Sequence, residues 1–252
     1  MARMSILGAI LGGAAGFALG GPIGAIVGAA AGHAAERFGQ SEAETSDEPL
    51  VTDDATKKVS FTIGVIVLGA KMAKADGRVT ADEIQVFRRV FKTQKEEEKN
   101  VARIFNQAKK DTHGFESYAR QLARILADAP EVKEEVIDCL FEIALADGQV
   151  HPNEMRFLEE VARILGLSLR DFARIRAIHM GPDESDPYDI LDIAHDADAE
   201  AIKAKYRQLA RDNHPDKLMA QGLPEEAIEV ANQKLARINA AYDEIAKARG
   251  IK

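Results

Sequence analysis

The stretch AIKAKYRQLARDNHPDKL, residues 201–218, decides the fold of the C-terminal part of this chain. Its first half has apolar residues at helical spacing, which are Ile202, Tyr206, Leu209 and Ala210. A helix is therefore predicted over residues 198–213. His214-Pro215-Asp216 then breaks the pattern, because proline lacks a backbone N–H and has a fixed φ. A short rigid loop with an imidazole and a carboxylate does no chemistry alone, so it indicates a docking protein rather than an enzyme.

Two further helical segments flank this hairpin. Residues 186–191 begin with Asp186-Pro187, and proline is favoured in the first turn of a helix. A third helix is predicted over about residues 225–246. Its inward-facing positions are predicted to be Ile228, Leu235, Ile238, Ala241, Tyr242 and Ile245. Since residues 181–185 form a cluster of helix breakers, residues 186–252 are predicted to be a separate helical module.

Several separated motifs in this module together resemble a J domain, the Hsp70-activating module of DnaJ-type co-chaperones. They are residues 188–191, residues 202–210, the His-Pro-Asp loop with Lys217, and residues 238–242. The resemblance implies that His214, Pro215 and Asp216 dock at the Hsp70 nucleotide-binding domain and promote ATP hydrolysis. It also implies a docking face on the preceding helix, formed by Lys203, Lys205, Tyr206, Arg207 and Arg211. These basic side chains would steer the module toward an acidic partner, although an ordinary solvated face has the same composition.

The module departs from the usual J-domain pattern in four places. Asp192 stands where most J domains have glycine after the first helix. Gln208 and Asp212 replace residues that are often basic, which reduces the steering charge. The loop at residues 218–224 is longer than usual.

The N-terminus predicts a membrane anchor. Residues 4–32 contain no charged side chain, and a membrane span needs about 20 apolar residues. Glycine recurs at every fourth position, at Gly8, Gly12, Gly16, Gly20, Gly24, Gly28 and Gly32. Small residues at this spacing let two helices approach closely in a bilayer, so the stripe predicts packing of the anchor into a homodimer. The stripe winds around the helix, so only part of it can face one straight partner.

Other readings of the anchor remain open from the residues alone. Gly20-Gly21-Pro22 could kink a single span midway, or form the turn of a hairpin. A cleaved signal peptide would have a shorter apolar core than this one. Arg3 and Arg37 flank the anchor on both sides, so the positive-inside rule does not orient it.

A middle region follows an acidic linker predicted at residues 40–56. Residues 59–73 are apolar but short for a span and include Lys71, so a core helix is predicted. ADGRVTADE at residues 75–83 recurs as ADGQVHPNE at residues 146–154. Asp-Gly is typical of a helix end and Pro152 of a helix start. The repeat predicts a bundle of about seven helices whose halves are related by a pseudo-twofold axis.

Four carboxylates of this repeat are the candidates for a divalent cation: Asp76, Glu83, Asp147 and Glu154. Their spacing is tighter than a calcium-binding loop, and helix capping accounts for them without a metal, so no metal or other cofactor is predicted. The repeat and the helical pattern of residues 57–180 resemble the TerB domain, named from tellurite-resistance proteins. Metal binding has been proposed within that family, which keeps a membrane-tethered metal or stress sensor, or a scaffold, as the alternative function.

Composition sets the remaining limits. A net charge of −8 over 252 residues argues against a nucleic-acid partner. The single cysteine, Cys139, lies in the apolar stretch 136–146 and is predicted to be a buried structural thiol in a reducing compartment. Aromatic residues are 6% and strand signals are scarce, so the chain is predicted to be all-α. No nucleophile–base set is visible, which predicts that the chain is not an enzyme.

Anchor (residues 1–39), linker (residues 40–56), TerB-like bundle (residues 57–180) and J domain (residues 186–252) follow one another along the chain. This order resembles the DjlA-type co-chaperones, which are membrane-anchored DnaJ-like proteins of Gram-negative bacteria. The resemblance implies a single-pass protein of the inner membrane with its C-terminal domains in the cytoplasm. It further implies dimerisation through the anchor and DnaK as the Hsp70 partner.

Overall fold

The structure, a computed structural model, describes residues 21–24, 54–75, 98–110, 114–180 and 185–251. Every regular element within these ranges is a helix, which confirms the all-α prediction. Between residues 54 and 180, the described ranges contain six α-helices: α1 (Asp54–Ala75), α2 (Glu98–Lys110), α3 (Phe115–Ile125), α4 (Pro130–Ala144), α5 (Pro152–Leu165) and α6 (Leu169–His179). We call these six helices the bundle.

Helix α1 is the centre of the bundle. Its residues from Val59 to Ala70 are all buried, and the helix contacts α2, α3, α4 and α5. A helix that is apolar on every side must be covered on every side, which explains why its sequence lacks an amphipathic stripe. The prediction of a core helix at residues 59–73 is confirmed. The helix begins at Asp54, so the last three residues of the predicted linker are helical.

The second copy of the repeat ends one helix and starts the next. A 3₁₀ turn at Leu145–Asp147 continues α4 and stops at Gly148, whose φ of 95° is in the left-handed region that favours glycine. Pro152 then opens α5, and the side chain of Glu154 accepts a hydrogen bond of 2.9 Å from the N–H of His151. These two roles were predicted for this motif. The first copy of the repeat, at residues 76–83, lies outside the described residues.

The C-terminal module is a helical hairpin with two short helices. Its elements are α7 (Pro187–Leu191), α8 (Ala199–Asp212), α9 (Pro215–Ala220) and α10 (Ile228–Arg249), with a 3₁₀ turn at Glu225–Ala227 before α10. Asp198 caps α8 by accepting a hydrogen bond of 2.7 Å from Ala201 N–H. The predicted helix over residues 198–213 is confirmed to within one residue at each end, since residues 198 and 213 are its caps. The small core of the C-terminal module contains Ile190, Leu191, Ile202, Leu209, Ile238, Ala241 and Ile245.

The bundle and the C-terminal module pack against each other, so residues on each side of the predicted boundary contribute to the core of the other part. Ala177 and Ile178 of α6 belong to the core of the C-terminal module. In the other direction, five residues of the C-terminal module are buried in the core of the bundle: Leu218, Leu223, Ala227, Val230 and Ala231. Ile228 also packs against the bundle core, so the prediction that it faces the J-domain core is wrong. The early part of α10 faces the bundle, and only its later part faces α8.

Cys139 is buried and forms no disulfide, as predicted. Among the glycines of the N-terminal stripe only Gly24 is described; residues 21–24 form a helical turn in which Ile23 and Gly24 are buried. The N–H of Ile23 donates a 2.9 Å hydrogen bond to the side chain of Gln121 on α3. Within the ranges given above, no helix combines the length and the hydropathy needed to cross a membrane.

Candidate functional site

The His-Pro-Asp loop forms the N-terminus of α9. Pro215 is the first helical residue, and His214 caps the helix, because its Nδ1 accepts a hydrogen bond of 3.2 Å from the N–H of Asp216. The side chain of His214 is 55% exposed and that of Asp216 is 83% exposed. Pro215 therefore fixes the backbone while both polar side chains point to solvent, where a partner can reach them.

A buried residue ends the helix that precedes the loop. Asn213 ends α8 and is 2% exposed, and its side-chain amide donates a 2.8 Å hydrogen bond to the carbonyl of Leu209. Sequence reasoning missed this residue. The available signal was an amide side chain at the predicted end of α8, where the last carbonyls of a helix can accept hydrogen bonds from side chains.

Lys217, just after the loop, is paired on two sides. Its ammonium lies 2.7 Å from a carboxylate oxygen of Asp212 and 2.8 Å from one of Glu131, which belongs to α4 of the bundle. Hydrogen bonds to Asp212 and Glu131 raise the pKa of the Lys217 amine. Asp212, noted above as a loss of positive charge, therefore has a definite partner in the fold.

Three of the four basic residues of α8 lie in a stripe on one face of the helix, and the fourth, Lys205, does not. Lys203, Arg207 and Arg211 recur at spacing four, so they lie along one face that leads to the His-Pro-Asp loop. Arg207 and Arg211 are exposed, and Lys203 lies 3.7 Å from Glu200. Lys205 lies off this stripe and pairs with Asp192 at 2.8 Å.

Tyr206 connects α8 to α10. Its ring stacks on Tyr242 with centroids 4.0 Å apart, and its hydroxyl donates a 3.1 Å hydrogen bond to the side chain of Asn239. The half-buried ring thus fixes the distance between the two long helices of the hairpin.

Asp192 stands where most J domains have glycine. Its backbone has a positive φ, which glycine adopts most easily. It ends α7 with φ 54°, and it is the only non-glycine residue with positive φ in the described ranges. Its carboxylate accepts hydrogen bonds from Lys205 and from Arg170 of α6. Aspartate tolerates the left-handed region better than most residues, and here it joins α6, α7 and α8.

The metal candidates in the second repeat have other partners. Asp147 Oδ2 lies 3.0 Å from His151 Nε2, and Glu154 caps α5. Asp76 and Glu83 lie outside the described residues. Over the part of the chain that the structure describes, no group of three His, Cys, Asp or Glu side chains is arranged to hold a metal ion.

A buried ionic cluster joins α10 to the bundle. Lys234 of α10 has a side chain only 1% exposed, and its ammonium lies 3.0 Å from Glu134, 3.0 Å from Glu135 and 2.9 Å from Asp138. On α6, Arg174 pairs with Glu134 at 2.6 Å. We call these residues, together with His179 and Glu142, the α4 cluster.

His179 extends the α4 cluster through Asp138 at 2.8 Å and Glu142 at 3.4 Å. Burial lowers the pKa of His179, but its bonds to these carboxylates outweigh burial and raise the pKa to about 9. Burial opposes the ionised form of Asp138, but the charges of Lys234 and His179 prevail and hold its pKa at about 2. Burial raises the pKa of Glu135 to about 7, because Lys234 is the only cation that it contacts among the described residues.

Sequence reasoning missed this cluster. Asp138 is a charged residue inside the apolar stretch 136–146, Glu135 directly precedes that stretch, and Lys234 interrupts the apolar spacing of α10 between Val230 and Ile238. Charges at core positions indicate buried partners. The sequence does not say that the partner lies on the other side of a domain boundary.

Comparison with known proteins supports the same three parts in the same order. Residues 4–47 match the family described as the co-chaperone DjlA transmembrane domain. Residues 62–177 match the tellurite resistance protein TerB family, and residues 186–249 match the DnaJ domain. The predicted membrane anchor, TerB-like bundle and J domain are thereby confirmed.

Full-length relatives give the same result. The chain is 30% identical to the co-chaperone protein DjlA of Vibrio parahaemolyticus, over 86% of this chain and 88% of the relative. It is 30% identical to the protein of that name from Photobacterium profundum, over 76% and 78% of the two chains. It is 29% identical to that from Vibrio cholerae, over 86% and 88%. No solved structure matches the chain. With its transmembrane, TerB and DnaJ parts in this order, the chain belongs to the DjlA family of co-chaperones.

Proposed function

We propose that this protein recruits the Hsp70 DnaK to the inner membrane and stimulates its ATP hydrolysis, without being an enzyme itself. The observation that carries the proposal is the exposed His-Pro-Asp loop of the J domain, whose backbone Pro215 restrains. A rigid loop with two exposed polar side chains can bind a partner at a low cost in conformational entropy. Its partner would be the ATP-bound form of DnaK.

The stripe Lys203–Arg207–Arg211 supplies the electrostatic part of this proposal. It leads toward the loop and would guide DnaK through an acidic surface. Asp216 would pair with a cation on the partner, since it is exposed. Lys205 contributes less to steering than the stripe does, because Asp192 compensates its charge. Tyr206 supports the docking face by holding α8 on α10.

The anchor would place the docking loop at the cytoplasmic side of the membrane, where ATP and DnaK are present. This orientation follows from the requirement for DnaK. A fixed location raises the effective concentration of the J domain near membrane-bound clients. A docking surface with reduced positive charge can therefore suffice.

A single-turnover measurement of ATP hydrolysis by DnaK tests the proposal. The full-length protein is held in lipid nanodiscs and compared with His214→Gln. His195→Gln is the matched control, because His195 is an exposed histidine elsewhere in the J domain. Stimulation by wild type and by the control, with none by His214→Gln, is expected. Equal stimulation by all three proteins would reject the proposal.

The glycine stripe adds a second element to the proposal, which is self-association of the anchor. Replacing Gly12 and Gly16 by leucine should weaken the signal in a membrane two-hybrid assay. Ala14→Leu is the control, since residue 14 lies on the opposite face of a helix from both glycines. An unchanged signal in the glycine variant would exclude a dimer through this face.

A further inference from the structure

We infer that Glu131 of the bundle is a positioning residue for the His-Pro-Asp loop, so that the bundle takes part in DnaK stimulation. This inference rests on the proposed function of the J domain. Both carboxylate oxygens of Glu131 accept hydrogen bonds from α9 and its C-terminal cap: Lys217 reaches Oε1 at 2.8 Å, and the side-chain amide of Gln221, which caps α9, reaches Oε2 at 3.3 Å. One bundle residue therefore holds two successive turns of the helix that the loop begins.

Glu131 is itself well fixed. It lies in the first turn of α4, directly after Pro130, where the exposed N–H groups of a helix favour a carboxylate. Its side chain is one-fifth exposed, so water weakens the pair with Lys217 less than it would on an open surface. The loop thus takes its orientation from a rigid part of the bundle.

Apolar packing fixes the same segment. Leu218 and Leu223 are fully buried in the core of the bundle. Between them Gly222 has φ 107°, and a Cβ at that position would lie 2.6 Å from the Cβ of Lys57 on α1. The prediction of a long loop at residues 218–224 is wrong in part: residues 218–220 are the last turn of α9, and residues 221–224 lead from it to the next helix while making this contact. Leucine side chains placed so deep in the bundle leave α9 little freedom to rotate.

The α4 cluster holds the next element of the chain in the same way. Lys234, on α10, is buried against Glu134, Glu135 and Asp138, which follow Glu131 along α4. One bundle helix therefore contacts both α9 and α10. Breaking such a buried pair is costly, because it leaves charges without partners.

The contact positions the loop and does not cover it. His214 and Asp216 remain exposed although Lys217 is bound to the bundle. The stripe at Arg207 and Arg211 is exposed as well. Loosening the bundle contact should therefore weaken DnaK stimulation, whereas loosening a masking contact would strengthen it.

The test compares Glu131→Ala with Glu159→Ala, which removes the same charge from an exposed position on α5. DnaK single-turnover hydrolysis is measured against the concentration of full-length protein in nanodiscs. Without Glu131 the loop is in the competent orientation for a smaller fraction of time, so the half-maximal concentration should rise about fivefold. The maximal rate should not change, because at saturating concentrations of the protein all DnaK is bound to the competent orientation.

A second measurement needs no DnaK. Hydrogen exchange of residues 216–221 should be faster in Glu131→Ala than in Glu159→Ala or wild type. A half-maximal concentration and an exchange rate both equal to those of the Glu159 variant would overturn the inference. A fall in maximal rate together with a lowered unfolding midpoint would also overturn it, since it would show a general loss of structure. If His214→Gln stimulates as well as wild type, the proposed function fails, and unchanged exchange at residues 216–221 is then the separate criterion for Glu131.

Discussion

The two sides of the J domain use similar side chains in opposite surroundings. On the open side, His214, Asp216 and Arg211 are exposed and keep their charged or polar atoms in water. On the bundle side, Lys234 is 1% exposed among three carboxylates of α4. Charged side chains on the open side can form ion pairs with a partner protein, whereas those on the bundle side already form ion pairs within the chain. The comparison separates residues expected to act in docking from residues expected to act in stability.

The largest expected effect is on the bundle side. Lys234→Met leaves the carboxylates of Glu134, Glu135 and Asp138 close together without the ammonium that neutralises them. We expect the free energy of unfolding to fall by about 3–5 kcal/mol. Urea unfolding of the full-length protein in detergent, followed by circular dichroism, measures this change. Lys247→Met is the control, because Lys247 is exposed on the same helix; equal midpoints for the two variants would refute the cluster as a stabilising element.

The second effect is on the pH dependence of the free energy of unfolding. The pKa of His179 is raised from 6.5 to about 9 in the folded protein. A raised folded-state pKa gives stability that is complete below pH 6.5 and is lost as the pH rises through 9. The loss between these limits is on the order of 3 kcal/mol. Glu135, with a pKa of about 7, titrates in the lower part of this window, so the comparison starts at pH 7.5, where most of this carboxyl has already ionised.

Urea unfolding at pH 7.5 and pH 9.5 measures the loss of stability, and His179→Gln should flatten the difference. His195→Gln is the matched variant, since that histidine is exposed. A wild-type protein equally stable at both pH values would show that His179 is not charged within the α4 cluster.

The smallest effect is expected where the two sides meet, at Asp192. Asp192→Gly removes the ion pairs with Lys205 and Arg170 but relieves the left-handed backbone at φ 54°. These two effects oppose each other, so the free energy of unfolding should change by less than about 1 kcal/mol. The thermal unfolding midpoint measures this change. Asp196→Gly in the same exposed loop has no left-handed φ to relieve and serves as the comparison. A larger loss at Asp192 would mean that its ion pairs, rather than its backbone, determine the position.

The open side was largely predictable from the sequence, because its structure is local. The limits of α8, the turn at Pro215 and the exposure of the loop follow from helical spacing, capping and proline within one short segment. The pairing of Lys205 was not predictable, since its partner Asp192 depends on a left-handed residue that ends α7.

The bundle side was hidden for a physical reason. Lys234 and Glu135 lie far apart in the chain, and nothing in the spacing of either helix specifies the other. The sequence marked the loop at residues 218–224 as long, but only the fold shows that Leu218 and Leu223 fill the bundle core. The burial of these residues depends on contacts between segments that are distant in the sequence, and the local spacing of apolar residues does not specify such contacts.

The measurement that tests the assignment of the two sides most directly is hydrogen exchange of the full-length protein in nanodiscs, with and without ATP-bound DnaK. We expect added protection at residues 207–217, which include the end of the basic stripe and the His-Pro-Asp loop. We expect no change at residues 228–236, where α10 already packs against the bundle. Protection at residues 228–236 without any at residues 207–217 would show that DnaK docks on the bundle side instead.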